Sequence, residues 1–387
     1  MLLAGRWAPG SSGDRAFLTR LGADAAETEA SCARLVTVEG APIVRRPGSF
    51  EWAARGETWT DFAPTLSAGL LRTFESAATE VLGEDDPALE LEPGRRFYAP
   101  ILGKARGSSE PLREGICDTL VRLAVHEELL EPAVGASVGS AVAHRVVRAI
   151  LGSSWKRWAS LDRLLPTLAE AAPDAFLEAL AESLAAQGDG VSCLLDQITG
   201  TSHPYTGLLW ALERLAFLRP HINEVVERLA ELAARDRAVH NHVNRPMHSL
   251  CSLTLPWLPQ SATTLDERLA IIDRVAARWE DVGWRLMLSH LAAYGMATRH
   301  ARPEHRAFDP GEGDEIPPDQ IARQVEAVHE RARALAGSRA DRLVRSSMRA
   351  TASTALWATG CSRTSSRGER RSTSRCAFGR RFAKSST

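Results

Sequence analysis

Aromatic residues are scarce in this 387-residue sequence, at 6%, and only three are tyrosine. Leu and Ala dominate the apolar set instead, which favours helices over β-sandwiches built from β-branched and aromatic side chains. Cysteines are few and scattered: Cys32, Cys117, Cys193, Cys251, Cys361 and Cys376 include no CxxC pair. That spacing excludes a disulfide framework and a zinc ribbon. No apolar run approaches the ~18 residues of a membrane span. Met1-Leu2-Leu3-Ala4-Gly5 is too short for the apolar core of a signal peptide. A cytoplasmic protein with no membrane partner is therefore expected.

Catalytic signatures are missing too. Gly103-Lys104 is not a phosphate loop, because Tyr98 stands where the first glycine would have to be. No GxSxG nucleophile elbow occurs. Gly152-Ser153-Ser154-Trp155 resembles one only superficially and reads as a helix cap. Asp85-Asp86 precedes Pro87 in a turn and reads as solvated. His240 and His242 with His248 are the nearest approach to a metal site, but no Cys, Asp or Glu at ligand spacing completes the set. His126, His144 and His290 read as ordinary surface or core histidines. No enzyme activity, cofactor or metal is expected.

The formal net charge of −1 gives no overall pull toward nucleic acid. It conceals an asymmetry: Arg349 to Thr387 holds nine Lys/Arg and one acid, Glu369, while the rest carries 38 bases and 47 acids.

What is present is helical periodicity. The first 66 residues read as a helix from Gly13-Asp14 with Phe17, Leu18 and Leu21, a second helix from Asp24 to Val36, and a hairpin around Pro47-Gly48, with strands between Val44 and Trp52. Helix, helix, hairpin is the order of a winged helix-turn-helix. Ser67 caps a helix striped by Leu70, Phe74, Ala77 and Val81. Leu112, Ile116, Leu120 and Leu123 make the next stripe, then Val142, Val146, Val147 and Ile150. Leu161 to Leu168 is a short helix, and Pro173 opens one with Phe176, Leu177, Leu180 and Leu184. Leu168-Ala169 and Pro173 recur as Leu215-Ala216 and Pro220. They recur again as Val275-Ala276, followed by Asp281, Trp284, Met287 and Leu291-Ala292. Such recurrence predicts a mainly α protein, an α-solenoid of stacked helix pairs preceded by a small winged-helix-like unit. The expected divisions are 1–66, the winged-helix-like unit; 67–152, a helical linker domain; 153–308, the repeat array; 309–346, an acidic linker and terminal helix striped by Val325, Val328 and Ala332; and 347–387, a disordered basic tail.

Several stretches resemble the C-terminal part of bacterial STAND-class signal-transduction ATPases. They are Arg45 to Trp52, Val81-Leu82-Gly83-Glu84-Asp85-Asp86-Pro87-Ala88-Leu89, Trp155 to Ser160, Gly207 to Glu213, Asn244-Arg245-Pro246, Pro256-Trp257-Leu258-Pro259 and Gly283-Trp284-Arg285-Leu286. The resemblance covers roughly positions 1–308 and includes no catalytic motif. It implies an upstream nucleotide-binding core followed by a winged helix and a helical sensor array, with some members acting in antiviral defence. This sequence lacks the ATPase core, and Met1 falls just inside the winged-helix unit. After about Ser347 the composition shifts abruptly to Ser, Arg and Thr, as in a GC-rich gene read out of frame. A truncated or frameshifted copy is the expectation.

The functional expectation is a non-catalytic scaffold or sensor module of a STAND-like signalling or defence protein, with a protein partner that is an ATPase subunit or domain. Trp155, Arg157 and Trp158 are the expected partner surface, since Trp and Arg dominate binding hot spots. The competing reading is a winged-helix DNA-binding regulator. Against it, the second helix is acidic over its first half, where base contacts would lie.

Overall fold

The computed structural model describes residues 1–186, 188–197, 203–237, 244–291, 299–311 and 316–337. The basic tail lies outside them. So do His240 and His242 of the histidine set. The protein is mostly helical, with one small sheet.

The chain opens with β1 (Arg6–Trp7), α1 (Ser12–Arg20), α2 (Ala25–Leu35), β2 (Ile43–Arg46), β3 (Ser49–Trp52) and α3 (Arg55–Phe62). β2 and β3 form the expected hairpin, with Arg46 opposite Ser49 across Pro47-Gly48. Gly48 has φ 81°, a left-handed value that glycine adopts without strain. β1, a two-residue strand with no period to betray it, pairs antiparallel with β3, giving the order β1-β3-β2. The second expected helix is α2, which begins one residue after Asp24; the Asp24 side chain caps it, accepting from Glu27 N–H.

This unit is seated on α5 (Glu110–Val125), which follows α4 (Ala68–Leu82). Arg6 pairs with Glu114 and Arg55 with Asp118. Arg55 also donates to the Gly115 carbonyl at 2.9 Å. A Cβ at Gly115 would overlap the Ala4 carbonyl and the Arg6 amide, so only glycine permits the strand to lie this close to the helix. The Asp14 carboxylate accepts from the Ser109 N–H and hydroxyl, tying α1 to the cap of α5.

The remaining helices are α6 (Glu131–Val134), α7 (Val138–Ile150), α8 (Trp155–Ser160), α9 (Leu165–Ala171), α10 (Pro173–Ala185), α11 (Thr206–Leu215), α12 (Ile222–Arg235), α13 (Pro246–Leu253), α14 (Leu265–Arg278), α15 (Glu280–His290) and α16 (Pro318–Ala336). Apart from the short α6 and α8, they stack with α4 and α5 in two rows. α4, α7, α10, α12 and α14 follow one another in the first row; α5, α9, α11, α13 and α15 follow in the second; α16 closes the end against α14 and α15. No single helix pair can bury its own apolar face, and here each leans on the next. The apolar core is accordingly continuous from Leu3 to Ala336. The stacking already begins at α4, upstream of position 153, where the sequence suggested that the array starts.

The two rows also correct the repeat alignment. Leu168-Ala169 and Leu215-Ala216 lie at second-row helix ends, each followed by a first-row helix. Val275-Ala276 lies on α14, a first-row helix, so its likeness is displaced by one helix. Both rows face the same core, and their apolar spacing is therefore similar enough to align out of phase.

Local signals explain most helix starts. Ser67, Ser109 and Ser154 each accept a backbone N–H at the head of α4, α5 and α8. Thr264 and Glu267 form a reciprocal capping box on α14. Pro173, Pro246 and Pro318 occupy first helical positions, where the missing N–H costs nothing. The stripes on α5, α7 and α10 are buried as expected. On α4 the buried set is Leu71, Phe74, Ala77, Ala78 and Leu82, a face turned slightly from the expected one. On α16, Gln324 takes an inner position while Val325 is only partly buried. The Leu161–Leu168 span is broken by a 3-10 turn at Asp162–Leu164.

After α15 the chain doubles back. Residues 299–311 run as a strap to α9 and then return toward the head of α14. Glu304 N–H and His305 N–H donate to the buried Glu170 carboxylate, and Arg306 donates to the Ala171 carbonyl at 3.1 Å. Phe308 packs edge-on against Phe217, and Asp309 N–H donates to the Phe217 carbonyl at 3.1 Å. Asp309, where the sequence suggested that a linker begins, is thus held in place and also pairs with Arg219 at 3.0 Å.

Candidate interaction site

The connection between α4 and α5 is long, and its base is braced. Asp86 caps a 3-10 turn at Pro87–Glu90, and its N–H donates to the Ser160 hydroxyl at 2.7 Å. Arg106 reaches Asp86 at 2.9 Å and the Ser160 carbonyl at 3.0 Å. Arg113, fully buried, donates to the Val81 and Ser160 carbonyls at the ends of α4 and α8. Lys104 pairs with Glu90 at 2.5 Å, and Gly107 N–H donates to Glu84 at 3.1 Å. Ser160 therefore ties the end of α8 to both flanks of the connection.

Above this base, the loop from Pro93 to Lys104 presents its apolar residues to solvent. Phe97 is 88% exposed, Ile101 84%, Tyr98 52% and Leu102 44%. The Phe97 and Tyr98 rings meet edge to face at 5.6 Å. Buried Ala99 anchors the turn, its carbonyl accepting from Leu102 and Lys104 N–H. Leu35, Val38, Phe62 and Trp210 are the other exposed large apolar residues among those described. Single exposed apolar side chains are ordinary; four within six residues of one braced loop are a patch.

The segment singled out by its tryptophans lies alongside. Arg96 of the loop sits over the Trp155 ring, 5.9 Å from its centroid. Arg157 pairs with Asp85 at 3.3 Å and is largely covered. Trp158 does not belong to any surface: it is fully buried, its indole N–H donates to the Gly152 carbonyl at 2.9 Å, and it packs edge-on against Phe176. At i+3 from Trp155 it falls on the inner face of the short α8, which corrects its placement on a partner surface. Trp155, half-buried, remains at the edge.

Beside the loop lies a cavity of about 900 Å³. Its lining joins Asp86, Leu89, Arg96, Phe97, Arg106 and Glu110 to Asp162, Arg163, Leu164 and Pro204, so that three arginines face three carboxylates. The Asp162 carboxylate accepts the Gly207 N–H at the head of α11 at 2.7 Å. Burial pushes its pKa up to about 6.

Phe97, Ile101 and Leu102 follow no helical period, and their one signal in the sequence is an apolar run enclosed by Gly94 and Gly103. A second polar cluster was equally silent. Ser249 donates to Glu213 at 2.6 Å, and His300 of the strap lies 3.5 Å from the same oxygen. Among the described residues no group of three or more His, Cys, Asp or Glu is placed to hold a metal. His248 is half-buried, and burial lowers its pKa. His290 is a core residue, its ring nitrogens each 2.7 Å from a backbone carbonyl. In α2, Glu29 is engaged by Arg15 and by the Gly10 N–H, so the acidic helix is held to its own unit. No helix among the described residues is long and apolar enough to cross a membrane. No family model, curated protein or solved structure matches the chain.

Proposed function

We propose that the chain is a non-catalytic helical scaffold or sensor module that docks a protein partner at the edge formed by the Pro93–Lys104 loop and Trp155. The observation that carries this reading is the exposed cluster of Phe97, Tyr98, Ile101 and Leu102 on a base fixed by ion pairs. A loop held in one shape loses little conformational freedom on binding, so its apolar area converts efficiently into affinity. The STAND-like resemblance names the class of partner, a P-loop ATPase, with the winged-helix-like unit at residues 1–66 acting as a structural element. DNA binding is disfavoured by the acidic first half of α2; Arg46 of the hairpin is already paired with Glu51 at 2.6 Å.

The test is recovery of partners by the affinity-tagged chain from its source cell, compared with a Phe97→Asp/Ile101→Asp variant of unchanged melting temperature. A P-loop ATPase recovered by the parent and lost by the variant supports the reading. Recovery that ignores the loop, or ATP hydrolysis by the purified chain itself, defeats it.

A further inference from the structure

We infer that the Phe97–Leu102 tip of the Pro93–Lys104 loop packs against the same tip of a second copy of this chain. The inference goes beyond the docking reading: it names what covers the tip while no other protein does. The tip is a preformed helical turn. The Tyr98 and Ala99 carbonyls both accept the Leu102 N–H at 3.1 Å. The turn closes with Lys104 N–H on the Ala99 carbonyl at 2.9 Å and Gly103 N–H on the Pro100 carbonyl at 3.2 Å. That pair of bonds, with Gly103 at φ 68°, is a Schellman cap. Phe97 and Ile101 are i, i+4 neighbours, as are Tyr98 and Leu102, so the four make one apolar stripe of the kind a helix turns toward a partner. Ala99, on the other side of the turn, is buried.

The exposed parts of these two aromatic rings and two aliphatic chains sum to roughly 500 Å² of apolar surface on each copy. That is near the upper end of what a monomer carries. Two copies in contact bury roughly 1,000 Å², the least that a specific interface needs, so the dimer is reversible and of about micromolar affinity. An apolar stripe is its own match about a twofold axis, each ring meeting aliphatic side chains opposite. Charge does not oppose the pairing. No charged residue lies between Phe97 and Gly103. Of the flanking cations, Lys104 is paired with Glu90, and Arg96 donates to the Leu91 carbonyl and to Gln197 and lies over Trp155.

Other occupants fit less well. The chain's own end, with nine bases and one acid after residue 348, finds no carboxylate on an uncharged tip. The neighbouring cavity sets three arginines against three carboxylates, so it selects no charged ligand that would reach over the tip. An anionic bilayer calls for free cations around the inserted residues, and Arg96 and Lys104 are already engaged.

The experiment is sedimentation velocity on the whole purified chain from about 1 to about 100 µM, a range that brackets micromolar affinity. A concentration-dependent shift from monomer to dimer is expected, with no larger species. Ile101→Asp should weaken the dimer by about thirtyfold or more, as loss of a central anchor does. It should melt like the parent, because the Ile101 side chain stands in solvent. If its melting temperature falls, Ile101→Ser reads the same contact. Gly103→Val changes no exposed apolar residue but strains the cap, since a β-branched residue resists a positive φ. It should weaken the dimer about tenfold. A parent that stays monomeric at the highest concentration, a dimer indifferent to Ile101→Asp or to Gly103→Val, or open-ended association overturns the inference. So does a monomeric chain that binds phosphatidylserine–phosphatidylcholine vesicles through Ile101. A monomeric parent that recovers a P-loop ATPase lost in Phe97→Asp/Ile101→Asp defeats this inference and leaves the docking reading standing; a loop-dependent dimer with no ATPase recovered does the reverse.

Discussion

The Glu170 carboxylate and the Arg214 guanidinium lie 2.7 Å apart, and the carboxylate is wholly shielded from solvent. Glu170 belongs to α9 and Arg214 to α11, so the pair joins two neighbouring second-row helices. The remaining capacity of the carboxylate is filled by Glu304 and His305 N–H of the strap. Both the strap and the α9–α11 junction thus depend on one buried anion, which is tolerable only because it is fully hydrogen-bonded.

Glu170→Gln preserves the shape but removes the charge. Hydrogen bonds to charged groups are worth about 1.5–3 kcal/mol, roughly twice neutral ones. The expected result is a protein destabilised by about 2 kcal/mol, with amide exchange accelerated across residues 299–311. Unchanged protection of the strap would show that its apolar contacts with Phe217 hold it alone.

Gly115→Ala should release the N-terminal unit. The added methyl meets the Ala4 carbonyl and the Arg6 amide, which are backbone and cannot rotate away. Overpacking of this kind costs roughly 1–3 kcal/mol or more. Limited proteolysis should then cut ahead of α4 while the helical array stays intact. A digestion pattern identical to the parent would contradict the close approach of β1 to α5.

Arg113→Met should destabilise strongly, by about 3–5 kcal/mol if the stranded Val81 and Ser160 carbonyls stay dry. Arg113→Lys should not restore the parent melting temperature, because one ammonium lacks the fork that spans two carbonyls. Full rescue by lysine would mean that the charge, not the geometry, matters here.

Glu213 sets a pH dependence. Burial pushes its pKa up to about 7 from an ordinary 4.5. The folded protein therefore holds this proton more tightly than the unfolded chain. The stabilisation belongs to low pH, is lost as pH rises from 4.5 toward 7, and leaves an ionised buried group above it. Glu213→Gln should melt higher than the parent above pH 7, by up to about 3 kcal/mol at 1.36 kcal/mol per pKa unit, and match it near pH 4. His300 beside it is lowered to about 4 by burial, so both proteins weaken as pH falls from 6.5 toward 4. A parent-minus-variant difference that does not change with pH would refute this account of Glu213.

Much of the fold was legible in the sequence. Leu112, Ile116, Leu120 and Leu123 declare one face of a helix whatever surrounds them, and Ser67 and Pro173 mark where helices begin. The hairpin was readable from Pro47-Gly48. What stayed hidden depends on contacts between distant positions. Nothing local tells that Glu170 waits for the amides of Glu304 and His305, or that residues 299–311 return to α9. The site was half-visible: Trp155 was flagged by residue type, but the same reasoning flagged Trp158, which the short α8 turns inward. Phe97 and Ile101 announce themselves only once the base of their loop is seen to be fixed, since an aperiodic apolar run can equally be buried.

The strap also changes how such an array comes apart. In a stack where each helix pair touches only its neighbours, stability is a sum of local contributions, and the ends can fray while the middle holds. Here Glu304 and Arg306 fasten chain from beyond α15 onto α9, so the last pairs cannot peel away without breaking contacts deep in the stack. The fastening converts an open row into a closed circuit. Loss of the far end and loss of the middle become one event, and the unfolding transition sharpens toward all-or-none.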